Sequence, residues 1–271
     1  MKTNTFIIPH LVRPDLLQKC LESLWTYTPE NFKVIVIDQN PLEDVYSRVK
    51  SMVHLCIKSY RNLGFAKAMN TGIRLADTDF ITLLNDDVEF VDKRWWQGVL
   101  DEFEATENAA GVNPSALYNN LNGENRTTKK LQELGITERD DAYAKKNDPD
   151  IYGKLLGKGV LDGICTFCTV IPMEVIKTIG LLDEKFYPGS GEDYDWNTRA
   201  FIRGMRVIGT ERSWIWHWWL STKSELQKLD KELWLHAQPW NDLKGKWGEK
   251  YNLFGHDLEI QDIPPTTIVE L

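Results

Sequence analysis

The sequence predicts an α/β fold, a mostly parallel central sheet with helices on both faces. Two observations carry this. Short apolar runs of strand length alternate with stretches whose apolar residues recur at helical spacing. Each run also stops at polar or acidic residues, so the strand ends present their chemistry at one edge, where open α/β sheets bind ligands.

Phe6-Ile7-Ile8 reads as a first strand ending at Pro9. Leu16, Leu17, Cys20, Leu21, Leu24 and Trp25 then recur at helical spacing behind Pro14-Asp15, a helix opening. Val34 to Ile37 is a β-branched run suited to a strand buried on both faces, and it ends at Asp38. A weaker helix (Leu42 to Val53) and strand (His54 to Lys58) follow, and a turn at Arg61 to Phe65 opens a helix over Ala66 to Ala76. The stretch DFITLL (79–84) is too short for a helix and predicts a buried central strand stopping at Asn85-Asp86-Asp87.

Asp92 to Phe103 reads as a helix with Trp95, Trp96, Val99, Leu100 and Phe103 on its apolar side. Residues 113–158 are polar and predict a surface excursion, partly helical. Val160 to Ile171 reads as one strand, and Met173 to Ile179 as a helix closed by Gly180. The glycine-rich Gly189-Ser190-Gly191 leads into a helix over Glu192 to Arg203, closed by Gly204. A last strand (Met205 to Ile208) precedes Ser213 to Trp219, where alternation sets Trp214, Trp216 and Trp218 against Ile215, His217 and Trp219. The tail from Lys223 to Lys250 is predicted helical, with an extended arm around Pro264-Pro265.

With 271 residues the chain holds a sizeable core. A net charge of -8 argues against nucleic acid as a partner. No apolar run reaches the roughly 18 residues of a membrane span, which leaves only peripheral membrane association open. The opening MKTNTFIIPHLVRPD is too short in apolar residues for a signal peptide, so a cytoplasmic location is expected and the sequon at Asn125 is read as chance. Cys165 and Cys168 form a CxxC inside the apolar GICTFCTVI, without a second pair to complete a metal site; buried, reduced thiols are expected. The 11 tryptophans are either core or platforms for stacking a sugar or another apolar ligand.

Two acidic constellations carry the chemistry. Adjacent carboxylates at a strand end call for a hard divalent cation, which takes one or two carboxylates and completes its shell with water and phosphates. A solvated acidic turn is the plain alternative for Asp86-Asp87. In the second, Glu192 and Asp195 are explained by the helix dipole and by an i,i+4 pair with Arg199. Asp193 faces elsewhere, at a helix tip placed to reach into a cleft. His217, a lone histidine among aromatics, is by itself more simply a core residue. No GxGxxG follows the first strand and no GxxxxGK[ST] loop appears, so any phosphate would be held by a metal or by isolated side chains.

The strand ending in Asp38, RNLGFAKAMNTGI (61–73), LLNDDV (83–88) and GEDYDWNTRAFIRG (191–204) together resemble glycosyltransferase family 2, whose members are inverting enzymes with the GT-A fold. The likeness covers about residues 5 to 220, and residues 163–192 resemble rhamnosyltransferase-like members. It implies a GT-A domain over 1–220, with a nucleotide-sugar half (1–112) and an acceptor half (113–220), and a helical, Trp-rich extension over 221–271. Carried over by position, Asp38 contacts the base of a nucleotide sugar (a UDP- or dTDP-sugar), with Pro9 and the Asn62-Gly64 turn lining that pocket and Asn70 on the same cofactor side. Asp87 binds Mn²⁺ or Mg²⁺, Asp86 contacts the ribose or a metal water, and His217 is a late metal ligand. Asp193 is the catalytic base, with Glu192 and Trp196 on the acceptor side. The implied partners are a nucleotide sugar and a glycan or lipid-linked acceptor, and the implied pathway is polysaccharide biosynthesis. A non-catalytic carbohydrate-binding protein on the same fold, or a glycoside hydrolase with two carboxylates across the bond, are the competing readings. The hydrolase leaves Asp38 and RNLGFA unexplained.

Overall fold

The computed structural model describes residues 2–29, 31–40, 43–117, 126–162, 166–218 and 239–248. One sheet runs through it in the order β3-β2-β1-β4-β8-β6-β9-β5. The first four are β3 (Leu55–Lys58), β2 (Phe32–Asp38), β1 (Asn4–His10) and β4 (Phe80–Leu84), all parallel. β8 (Cys168–Pro172) enters antiparallel to β4 and to β6 (Ala109–Leu117). β6 runs parallel to the long β9 (Arg206–His217), which also carries the short β5 (Val88–Glu89) and β7 (Val160–Asp162), both antiparallel to it.

Helices cover both faces, as the strand periodicity demands. On one side Phe6, Ile8, Val34, Val36, Phe80 and Leu84 pack against α1 (Pro14–Tyr27), α2 (Val45–Val49) and α4 (Trp95–Ala105). On the other, Ile7, Ile81 and Leu83 meet α3 (Phe65–Ile73), α8 (Met173–Ile179) and α9 (Glu192–Phe201). Gly72 lets α3 lie directly on β1, since a Cβ there would stand 2.3 Å from Ile7 Cγ2. In between, α5 (Arg126–Glu133), α6 (Arg139–Ala144) and α7 (Pro149–Leu155) bury Leu131, Ala142, Tyr152 and Leu155 against Trp214 and Trp216. The last described helix, α10 (Pro239–Trp247), follows 20 undescribed positions and buries Leu243 and Trp247 with Phe186. No described helix is long and apolar enough to cross a membrane.

Several expectations are corrected. β1 does not stop at Pro9 but continues to His10, because Pro9 pairs only toward β2 and the ladder to β4 has already ended at Ile7. The first weak helix shrinks to Val45–Val49. Val160 to Ile171 is not one strand: β7 pairs with β9 and β8 with β4. The segments expected as a strand to Ile208 and a separate aromatic run are one strand, β9. Its polar middle is held by buried Glu102, which accepts from Thr210 Oγ1 at 2.7 Å and Arg212 Nε at 2.9 Å. Cys20 and Cys168 are buried free thiols, both pushed up by burial; Cys165 and most of the tail lie outside the described residues.

Candidate active site

Three parallel strands end together. His10 and Asp38 are register partners on β1 and β2, and Asp86 follows β4. His10 Nδ1 lies 2.7 Å from Asp86 Oδ2, with both side chains buried, across 76 positions of chain. Asp38 sits almost fully buried at 1% exposure; its Oδ1 accepts from the Asn40 N–H at 2.9 Å and its Oδ2 from Lys58 Nζ at 2.8 Å. Next to it, Gln39 Oε1 accepts the Leu63 N–H at 2.7 Å, which ties the end of β2 to the turn before α3. In that turn Asn62 Oδ1 accepts from the Gly64 N–H at 2.8 Å. Gly64 has a φ of +80°, and a Cβ there would meet the Tyr187 ring at 2.8 Å, so glycine is required twice over.

Asp87 lies where the chain turns from β4 into β5. The β5–β9 ladder pairs Val88 with His217, and the Trp218 N–H donates to the Asp87 carbonyl at 2.9 Å. This brings His217 Nε2 to 3.2 Å from Asp87 Oδ1, with both side chains nearly enclosed. Phe167 stacks on the His217 ring at 5.0 Å and 22°. A carboxylate oxygen and an imidazole nitrogen so close, beside a second carboxylate, fit a divalent cation. Among the described residues no group of three such donors forms, so the protein would give two ligands and leave the rest to water and phosphate oxygens.

The second acidic constellation opens α9 behind Gly191 in the left-handed conformation. Asp193 is 7% exposed; its Oδ1 accepts from the Tyr194 N–H at 2.8 Å and its Oδ2 from the Thr166 N–H at 3.3 Å. Burial pushes its carboxyl above the usual range, and these N–H groups pull the other way. Glu192 is pushed up further, by burial first and by the Asp193 charge second, and its Oε2 has no hydrogen-bond partner among the described residues. The two constellations meet through β8. Leu84 pairs with Cys168, the Asn85 N–H donates to the Phe167 carbonyl at 2.9 Å, and Thr166 holds Asp193.

Raised carboxyls have a stability signature. For Glu192, stability is full below the ordinary value of 4.5 and is lost as pH rises toward the raised folded value. Glu192→Gln is therefore expected to raise Tm at pH 8 and to leave it unchanged at pH 4. Equal gains at both pH values in a melting series would refute the buried-charge account.

Two anticipated site residues lie inside the fold. Asn70 is fully buried and exchanges hydrogen bonds with the Leu182 backbone at 2.9 and 3.0 Å, holding α3 to the 182–184 segment. Trp196 is 2% exposed in the core, with its Nε1 donating to the Gly180 carbonyl at 2.9 Å. Sequence reasoning overlooked His10, whose signal is a polar residue at a core-facing position of a strand end, and Thr166 and Phe167, which carry no sequence signal because one acts through its backbone and the other through its ring.

A mixed sheet whose parallel half ends in acidic residues, flanked by helices and completed by a helix-tip carboxylate, defines the GT-A class of folds. Residues 5–180 match the profile of Glycosyl transferase family 2, and the chain belongs to that family. No curated protein matches its sequence. Among solved structures it is similar to the mannosyltransferase PcManGT from Pyrobaculum calidifontis in complex with GDP-Man and Mn²⁺, at TM-score 0.55 and 15% identity over 80% of this chain and 56% of that one. It is similar to S. aureus TarS 1–349, at TM-score 0.55 and 15% identity over 97% and 77% of the two chains. A third is GalNAc-T7 with UDP, GalNAc and Mn²⁺, at TM-score 0.59 and 14% identity over 81% and 44%. The chain thus spans about half the length of the first and third.

Proposed function

We propose that the chain is a metal-dependent inverting glycosyltransferase that moves a sugar from a nucleoside diphosphate to a hydroxyl of a glycan or lipid-linked acceptor. The observation that supports this best is the meeting of Asp86, Asp87 and His217 with Asp193 through Thr166 and Phe167. Family membership and the nucleotide-sugar and Mn²⁺ complexes of the structural neighbours support it as well.

In this reading Asp193 takes the proton of the acceptor hydroxyl as its oxygen attacks the anomeric carbon from the face opposite the diphosphate. Its raised carboxyl is a better proton acceptor than an ordinary aspartate, and the Thr166 and Tyr194 N–H groups fix its orientation. Asp87 and His217 would hold the divalent cation, and Asp86, oriented by His10, would contact the ribose or a water on that cation. The cation supplies Lewis-acid neutralisation of the departing diphosphate. Asp38 and the Asn62–Gly64 turn, with Pro9, line the base pocket; Lys58 Nζ donates to Asp38 Oδ2 at 2.8 Å and so orients the carboxylate as an acceptor for a base N–H. The cleft holds both reactants in line, which supplies much of the acceleration.

The test is a melting series with UDP, dTDP, GDP and CDP, each with Mn²⁺, Mg²⁺ or EDTA. One nucleotide is expected to raise Tm with metal and not with EDTA; binding at a hundredfold excess over Kd stabilises by about 2.7 kcal/mol. No shift with any nucleotide, beside a shift with oligosaccharides, would replace this reading with the carbohydrate-binding one.

A further inference from the structure

We propose that α10 is a working part of the transfer site: Lys246 and Trp247 are positioning residues that act through Asp195 and Tyr194 to hold Asp193 in place. The inference rests on the reading of Asp193 as the base.

Asp195 is fully buried, two residues from Asp193. Within α9 its Oδ2 accepts from Arg199 Nε at 3.0 Å, and Arg199 spends its other nitrogens on the Ile179 and Leu181 carbonyls at 2.9 and 2.8 Å. Its Oδ1 is satisfied from outside. Trp247 Nε1 donates to it at 2.9 Å, across 52 positions of chain, and Lys246 Nζ lies 2.7 Å away. Lys246 also donates to Asp183 Oδ2 at 2.8 Å. One lysine therefore joins the two ends of the segment 183–195, which contains the glycine-rich loop and Asp193.

The apolar side of α10 makes the same connection. Leu243 and Trp247 are fully enclosed and pack with Phe186, Tyr194 and Ile202. Tyr194 is the residue whose N–H holds Asp193 Oδ1, so its ring lies under α10 while its backbone orients the base. In the loop between Phe186 and α9, Gly189, Ser190 and Gly191 all have positive φ, and the Phe65 N–H donates to the Pro188 carbonyl at 2.8 Å. An ion pair alone would add little if exposed. Here the carboxylate is fully buried while the lysine is partly exposed, and removing Lys246 leaves Asp195 with two of its three described partners, Arg199 and Trp247.

The experiment uses the full chain and three variants. Trp247→Phe keeps an aromatic ring, smaller than the indole, and loses the N–H; Lys246→Met keeps the stem and loses the charge, and Lys246→Arg restores a cation. Misplacing a reacting group costs far more rate than binding, so kcat should fall about ten- to a hundred-fold in W247F and K246M. The Kd for the nucleotide diphosphate with Mn²⁺ should stay within about twofold of wild type, and K246R should recover kcat. A fall in Tm with kcat per folded molecule unchanged overturns the positioning role. So does a parallel loss of nucleotide binding, which would make α10 a support of the whole fold. Asp193→Asn is measured alongside. Full turnover in D193N overturns the base assignment and this inference together, whereas lost turnover in D193N with normal turnover in W247F and K246M overturns this inference alone.

Discussion

Asp193→Asn is expected to lower the rate of sugar transfer by about 10²–10⁴-fold, the usual contribution of a general base, while the nucleotide diphosphate binds as before. Asparagine has the same shape and keeps an oxygen for the Tyr194 N–H, giving up only the longer contact with the Thr166 N–H. It cannot accept the acceptor's proton. It also removes a buried charge whose carboxyl burial has already pushed upward, so Tm should be unchanged or higher. A single-turnover assay beside a binding titration separates the outcomes: lost nucleotide affinity would mean that Asp193 belongs to the donor side, and an undiminished rate would remove it from the chemistry.

The second large effect is expected at Asp87. On the proposed function, Asp87→Ala deletes one of the two ligands for the cation; it leaves the backbone in place, because the Trp218 N–H bonds the carbonyl of residue 87 and not its side chain. Affinity for the nucleotide diphosphate in Mn²⁺ should fall by about a hundredfold or more, roughly 2.7 kcal/mol, while affinity in EDTA stays at its low wild-type level. His217→Gln should move the Mn²⁺ dependence of the rate in the same direction and less far. An unaltered Mn²⁺ titration for both variants would return Asp87 and His217 to the role of a buried pair that closes the β5–β9 ladder.

The parallel half was legible because its signals are local. FII, VIVI and FITLL are β-branched or apolar runs of the right length, and the helices between them declare their spacing within a few turns. The second half depends on neighbours. β6 reads AAGVNPSAL, a sequence of low strand propensity with a glycine, an asparagine and a proline; it is extended because β8 and β9 flank it. β9 contains the polar Thr210-Glu211-Arg212, which looks like a break until Glu102, far away on α4, provides the partners. The acidic residues of the site could be picked out because carboxylates at strand and helix ends are uncommon as core. Their companions could not. His10 looks like the residue after a strand, and Thr166 contributes only a backbone N–H.

The β5–β9 ladder also dictates when the site can exist. The parallel strands β1 to β4 pair within the first third of the chain, but Asp87 and His217 meet only once β9 has come back to β5, and the nearby Trp218–Glu89 hydrogen bond closes a loop of 129 positions. Closing so long a loop is entropically slow relative to local pairing. A chain still lacking β9 therefore has its parallel strands in order while Asp87 is still without His217.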